Sequence, residues 1–245
     1  YKYSNRTGVA TRNNLDTRIG KNSALVFGQR RLVEGVAQQI WRGQSAWGGR
    51  MTVLVFGKTG QVARELAHYS DVRCLDRAEA DLSKPAQCGR IIRRLKPAAV
   101  INAAAYTDVD GAEQDEVLAT VINGDAPAAM ALACAQMRVP FVQISTDYVF
   151  DGAGSTGFAP DHKTCPLGAY GRSKRVGERG VVAAGGTYAI LRTAWVFSRY
   201  GTNFLKTMLR LSETREQLSI VNDQIGGPTP AAAIAKACHA MAGGL

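Results

Sequence analysis

From residue 51 onward the sequence predicts an α/β fold: a Rossmann-like, doubly wound parallel sheet with helices on both faces. Two observations carry this. Short β-branched runs alternate with helically spaced runs at the interval of βαβ units. A glycine-rich turn, GKTGQVA (57–63), joins the first strand to its helix.

MTVLVF (51–56) is a short apolar run that Gly57 breaks, and TGQVARELA (59–67) continues with helical spacing. DVRCLD (71–76) is a second strand, and KPAQCGRIIRRLK (84–96) reads as a helix despite Gly89. PAAVINAAA (97–105) is a third strand running into a loop. EVLATVINGDAPAAMALACAQM (116–137) is helical, with an irregularity near Gly124–Pro127, because proline cannot donate to the helix ladder. VPFVQIS (139–145), the helix YGRSKRVGERGVVAA (170–184) and the strand YAILRTA (188–194) complete the rhythm. Right-handed crossovers then gather the loops that follow the strands along one edge, where a site is expected.

The formal net charge of +10 invites a nucleic-acid reading, but residues 1–50 hold nine of the thirty basic side chains and only two of the twenty acidic ones. The body carries a surplus of just three, so no nucleic-acid partner is expected. That prefix lacks the strand–helix rhythm. Only LVEGVAQQIWRG (32–43) has amphipathic spacing, and Met51 stands immediately before the first clean strand. Residues 1–50 are therefore read as an unassigned basic prefix, either foreign or disordered sequence or a genuine extension. No eighteen-residue window is uninterruptedly apolar, so no membrane partner is expected. Five scattered cysteines without zinc or disulfide spacing suggest reduced thiols and a cytoplasmic protein.

The first loop has the chemistry of a dinucleotide site. Gly57 permits a tight turn, Gly60 lets backbone approach a pyrophosphate, and Ala63 is small enough for close helix–sheet packing. Thr59, Gln61 and Val62 belong to the same loop. The pattern is GxxGxxA rather than GxGxxG, and its strand–turn–helix context gives it weight. Asp76, ending the second strand, suits a ribose 2′-hydroxyl, whereas Arg77 suits a 2′-phosphate, so NADH and NADPH both stay open. Asp81 and Leu82 are placed to flank an adenine. Ala103, Ala104 and Ala105 leave room beside a flat cofactor.

Beyond the fourth strand, STDYVF (145–150) precedes AYGRSK (169–174), in which Tyr170 and Lys174 share a helix face. A lysine ammonium beside the phenol is expected to lower its pKa from about 10 and so ready it for proton transfer. Thr146, with Ser145 as the second choice, is positioned to hydrogen-bond the same substrate oxygen. YxxxK alone is weak. The order of phosphate loop, hydroxyl residue and Tyr–Lys helix gives it meaning.

In that order the chain resembles the extended short-chain dehydrogenase/reductases, and within them the dTDP-4-dehydrorhamnose reductases. The residues that carry the likeness are FGKTGQVA (56–63), NAAAYTDVDGAE (102–113), STDYVFDG (145–152), PLGAYGRSK (166–174), RTAWVF (192–197), NFLKTMLRL (203–211) and NDQIGGPT (222–229). The resemblance implies Thr146, Tyr170 and Lys174 as a catalytic triad, with Tyr170 and Lys174 also touching cofactor. It implies Thr107, Thr146, Asp147, Tyr148, Trp195 and Asn203 around a dTDP-linked 4-keto-6-deoxy sugar. It also implies hydride transfer from NADPH or NADH to C4 of the sugar, a homodimer, and in some members magnesium at the dimer interface.

Departures from the family pattern lie at Gly111, Pro160 and Gly168, all near the substrate side. The expected organisation is a prefix at 1–50, a dinucleotide domain at 51–198, and an incomplete substrate lobe at 199–245, since the family continues beyond the point where this sequence stops. Two other readings stand beside reduction: another sugar-nucleotide reductase or epimerase, and a non-catalytic NAD(P)-binding regulatory subunit.

Overall fold

The structure, a computed structural model, describes residues 52–245 apart from Ser155 and Asn222, together with the backbone of two short strands nearer the N-terminus. Those strands are β1 (Thr7–Ala10) and β2 (Ala24–Phe27). The helix expected over 32–43 lies outside the described residues.

The main sheet contains β2, β3 (Val53–Phe56), β4 (Val72–Leu75), β5 (Ala99–Asn102), β6 (Phe141–Thr146) and β7 (Tyr188–Thr193), in the order β2-β7-β6-β5-β3-β4. Strands β3 to β7 run parallel, while β2 pairs antiparallel with β7 at the edge. Each strand that the sequence predicts is present, shortened by one to three residues at one or both ends in most cases, where the apolar run passes into a turn. Strand β3 is wholly buried, which explains why it reads as an unbroken apolar run rather than an alternating one.

Alternate residues of β3 face different cores. Leu54 and Phe56 join Val100, Phe141 and Ile190 under α2 (Pro85–Leu95), α5 (Ala126–Met137) and α6 (Ala169–Ala184). Val53 and Val55 join Ile101, Val142 and Leu191 under α1 (Gln61–Leu66) and α8 (Ala231–Gly244). Helix α8 is also tied to the foot of β4: His239 lies 3.0 Å from Asp71 and stacks on Tyr69 at 4.1 Å.

Two short helices, α3 (Val109–Gln114) and α4 (Glu116–Thr120), were not separately expected. Asp108 and Asp115 cap them by accepting from Gly111 N and Leu118 N. Between α4 and α5 the chain makes a π turn, Val121–Asp125, at the irregularity predicted from Pro127. The helical run Glu116–Met137 is long and apolar enough to cross a membrane by composition, yet half of its apolar window is buried, against α2 and α6. Helix α7 (Phe204–Ser212) buries none of its residues, and Phe204, Leu205 and Leu209 lie exposed on it. Small pairings complete the described strands: β8 (Val196–Phe197) with β10 (Thr229–Pro230), and β9 (Leu218–Val221) with β1. All five cysteines are free.

Candidate active site

Because β3, β5, β6 and β7 are parallel, their C-terminal ends share one edge. Gly57, Ala103, Asp147 and Trp195 follow them there. Strand order reverses at β3, which has β4 on one side and β5 on the other, and this switch point is where open α/β sheets leave a crevice.

Gly57 adopts φ +111°, and a Cβ on it would meet the Ala103 carbonyl carbon at 3.2 Å and Ala104 N at 3.3 Å. The turn therefore requires glycine for both conformation and space. Gly60 caps α1 without any side chain, leaving the helix entrance open, and Ala63 is fully buried against the sheet. These residues fit a dinucleotide: a bare backbone loop, a helix N-terminus and a small residue beneath it. Substituting Gly57→Ala should cut NADPH affinity by about tenfold or more, since the loop must shift off its backbone neighbours. Quenching of intrinsic fluorescence by NADPH would read this, and unchanged affinity would contradict it.

The expected cofactor residues divide into two groups. Asp76 accepts from Lys58 Nζ at 3.2 Å and from Glu79 N at 3.0 Å, and both contacts hold its carboxyl below the usual range, the Glu79 bond most of all. Arg77 lies 3.8 Å from Asp81. Lys58 is thus a second cation beside Asp76, which sequence reasoning missed. Gln61 serves the architecture instead. Its side chain donates to Val196 O and accepts from Ser198 and Asn203, bracing the loop against residues 196–203. Asn203 is likewise committed: its oxygen caps α7 through Lys206 N, and its amide donates to Gln61 and to Ser198 O.

Thr146 and Tyr170 meet through a side-chain hydrogen bond, and Lys174 lies one turn beyond Tyr170 on α6. Helix α6 begins at Gly168, where the absence of a side chain admits Glu113, whose carboxylate accepts from Ala169 N at 2.7 Å. The departure at Gly168 therefore has a local reason. One turn on, Gly171 passes the Tyr148 carbonyl and Gly177 passes the Asn123 carbonyl so closely that a Cβ at either would collide with backbone. The Asn123 carbonyl is the one that Pro127, lacking an N–H, cannot engage. The Asn123 side chain pairs with the backbone N and O of Tyr106 and donates to Ser173. Asn123 was missed from the sequence. Its signal was the irregularity beside Pro127.

The electrostatics correct one expectation. Tyr170 is not drawn down by Lys174. Burial pushes its phenol up to about 12, with Asp147 and Tyr148 adding to the rise, and a side-chain hydrogen bond with Thr146 opposing it. The ring of Tyr148 meets that of Tyr170 edge-on at 5.5 Å. Lys174 donates to Ile144 O at 2.7 Å, and burial pushes its amine down to about 8, against the pull of Glu178. The low dielectric around both groups outweighs their mutual placement on the helix. Burial also raises the carboxyl of Asp147. Ser145 donates to Glu178 at 2.7 Å and so faces away from Tyr170, leaving Thr146, which donates to Asp147 at 3.1 Å, as the hydroxyl on the Tyr170 side.

Of the remaining sugar-side candidates, Thr107 is exposed at the mouth of the edge. Trp195 is held at φ +47°, a left-handed conformation that is costly for a bulky residue, and its ring meets Phe204 at 5.5 Å. A Cβ on Gly226 would strike the Trp195 indole, so Gly226 lies directly against this ring.

Residues 51–244 match the family model described as the RmlD substrate binding domain. A dTDP-4-dehydrorhamnose reductase of Burkholderia thailandensis is 48% identical over 197 residues, spanning 78% of this chain and 66% of that protein. The crystal structure of a dTDP-4-dehydrorhamnose reductase from Clostridium acetobutylicum superposes with a TM-score of 0.72 at 37% identity, covering 76% of this chain and 68% of that one. The enzyme of the same name from Bacillus anthracis, solved in complex with NADP, gives 0.72 at 36% identity over the same shares. The chain thus spans about two thirds of the length of the curated relatives it matches. With the family model covering the whole body from 51 to 244, the chain belongs to the RmlD substrate binding domain family.

Proposed function

We propose that this chain reduces the C4 keto group of dTDP-4-dehydro-L-rhamnose to give dTDP-L-rhamnose, using NADPH or NADH. The observation that carries this is the meeting of Thr146 and Tyr170, one turn before Lys174, at the strand edge that also carries the bare Gly57–Gly60 loop. The likeness to dTDP-4-dehydrorhamnose reductases supports the choice of sugar nucleotide.

Gly57, Gly60 and the entrance of α1 hold the cofactor's pyrophosphate, Lys58 and Asp76 meet its adenosine ribose, and Ala103–Ala105 leave space beside it. When bound, the nicotinamide supplies the hydride that reaches C4. Tyr170, a neutral phenol at pH 7, gives its proton to the C4 oxygen as negative charge builds there. Thr146 donates to the same oxygen. Lys174, as an ammonium, would hold the nicotinamide ribose hydroxyls. The net change is one hydride and one proton added across C=O, leaving a secondary alcohol.

Among the described residues no three His, Cys, Asp or Glu side chains gather where they could hold an ion.

Lys174 must be charged to act, and its amine in the free protein lies at about 8. It is an ammonium below that value and neutral above it. The logarithm of kcat/KM should therefore bend downward near pH 8, well below the ordinary lysine range. A profile flat to about pH 10 would contradict this role.

The reading is tested by incubating the chain with dTDP-, UDP- and GDP-linked 4-keto sugars and following oxidation of NADPH and NADH. Turnover greatest with the dTDP-linked 6-deoxy sugar is expected. Turnover greatest with a UDP or GDP sugar would move the chain to another sugar-nucleotide reductase.

A further inference from the structure

Behind the catalytic trio lies a buried ion pair that the reaction does not use. Glu178 stands one turn beyond Lys174 on α6 and is 1% exposed. Arg192, on β7, grips both of its carboxylate oxygens, Nε to Oε1 and Nη2 to Oε2, each at 2.8 Å. Ser145 donates to Oε1 at 2.7 Å, and Arg175 approaches Oε2 at 3.5 Å. The carboxylate therefore joins three elements: α6, β7 and the end of β6 that carries Thr146.

Arg192 has one more donor, and it leaves the core. Nη1 donates to Pro160 O at 2.9 Å. Pro160 lies in the segment 151–168, which connects the end of β6 to α6 along the substrate side. Around this bond sits an aromatic clasp. Phe150 and Phe158 stack at 4.4 Å, His162 meets both rings edge-on, and the Arg192 guanidinium lies 4.9 Å from the Phe150 centroid. The far end of the segment is fastened by Cys165 N to Val149 O. A bidentate guanidinium with a third directed donor can hold a carboxylate and a carbonyl together in fixed geometry, which a lysine cannot do.

We propose that the Glu178–Arg192 pair is a positioning device, which locks the Thr146 strand end to the Tyr170–Lys174 helix and, through Pro160, fastens the substrate-side segment 151–168 to both. The role for the segment rests on the functional reading above; the brace itself does not. Glu178 and Arg192 touch neither cofactor nor reacting atoms. They act through Thr146, Lys174 and the segment.

Removing one partner leaves a buried charge uncompensated and threatens folding. The decisive variants are therefore Arg192→Lys and the double change Glu178→Gln with Arg192→Met, which removes both charges together. Two readouts apply. Trypsin cleavage after Lys163, which is exposed in the segment, should quicken by about tenfold in the double variant and by less in Arg192→Lys, at unchanged far-UV circular dichroism. The KM for the sugar nucleotide should rise by about tenfold while the Kd for NADPH stays within about twofold. Cleavage and KM both unchanged in the folded double variant would overturn the proposal. So would a parallel loss of NADPH binding, kcat and KM, which marks a merely structural pair. If the unaltered chain turns over no sugar nucleotide, the functional reading fails, and the cleavage rate still decides the brace.

Discussion

Tyr170→Phe should lower turnover by about a thousandfold while NADPH binding stays nearly unchanged. The substitution removes a single oxygen. The ring keeps its contact with Tyr148 and its place in the small cluster of Ala112, Ala119 and Ala169. Helix α6 should therefore be undisturbed, and folding offers no route to the loss. The effect follows from the proton. Without the phenol, Thr146 alone faces the developing alkoxide, and an aliphatic hydroxyl is a far weaker acid than a phenol. Parallel titrations of cofactor binding and turnover separate the outcomes. Equal loss in both would mean that Tyr170 serves binding, and retained turnover would remove it from the reaction.

Gly177→Ala should destabilise the chain by about 3 kcal/mol, and Gly171→Ala by a similar amount. In both cases the new methyl meets a backbone carbonyl, of Asn123 and of Tyr148, and not the flexible end of a side chain. Backbone cannot step aside without moving the π turn or the segment that follows Thr146. At this size such a loss lowers Tm by about 6–12 °C. The two variants should part in activity. Gly171 adjoins Tyr170, so relief of its clash shifts the phenol relative to Thr146. Gly177 lies two turns further along the helix, and its clash disturbs the Asn123 bonds to Tyr106 and Ser173. Thermal melts read the first effect and kcat of the surviving folded fraction reads the second. A Tm unchanged in both variants would contradict the close passage of α6 over these carbonyls.

Much of this was legible before any coordinates. The parallel sheet followed from runs such as MTVLVF and VPFVQIS, because strands buried on both faces leave that imprint in sequence. Gly57 was legible because a turn at φ +111° selects glycine. The trio was legible from order along the chain. What stayed hidden was the result of contacts distant in sequence. Nothing near Gln61 or Asn203 reveals that the two amides bond each other across 142 positions. Glu178 and Arg192 stand fourteen positions apart on a helix and a strand, and only the fold buries them together. Lys58 gains its role only because β4 brings Asp76 within 3.2 Å of it. The direction of the Tyr170 shift was misjudged for the same reason. Spacing shows that a lysine is near, whereas burial, which decides the sign here, depends on everything packed around the pair.

The central claim is hydride delivery to C4 of a dTDP-linked 4-keto sugar with Tyr170 as proton donor. It is tested most directly by isotope. The chain is given NADPH carrying deuterium at the transferable position of the nicotinamide, together with dTDP-4-dehydro-L-rhamnose, and the sugar is analysed by proton NMR. The account predicts a product with one deuterium at C4, formed by the unaltered chain and not by Tyr170→Phe. Deuterium at another carbon, or an undeuterated product formed equally by both proteins, would contradict it.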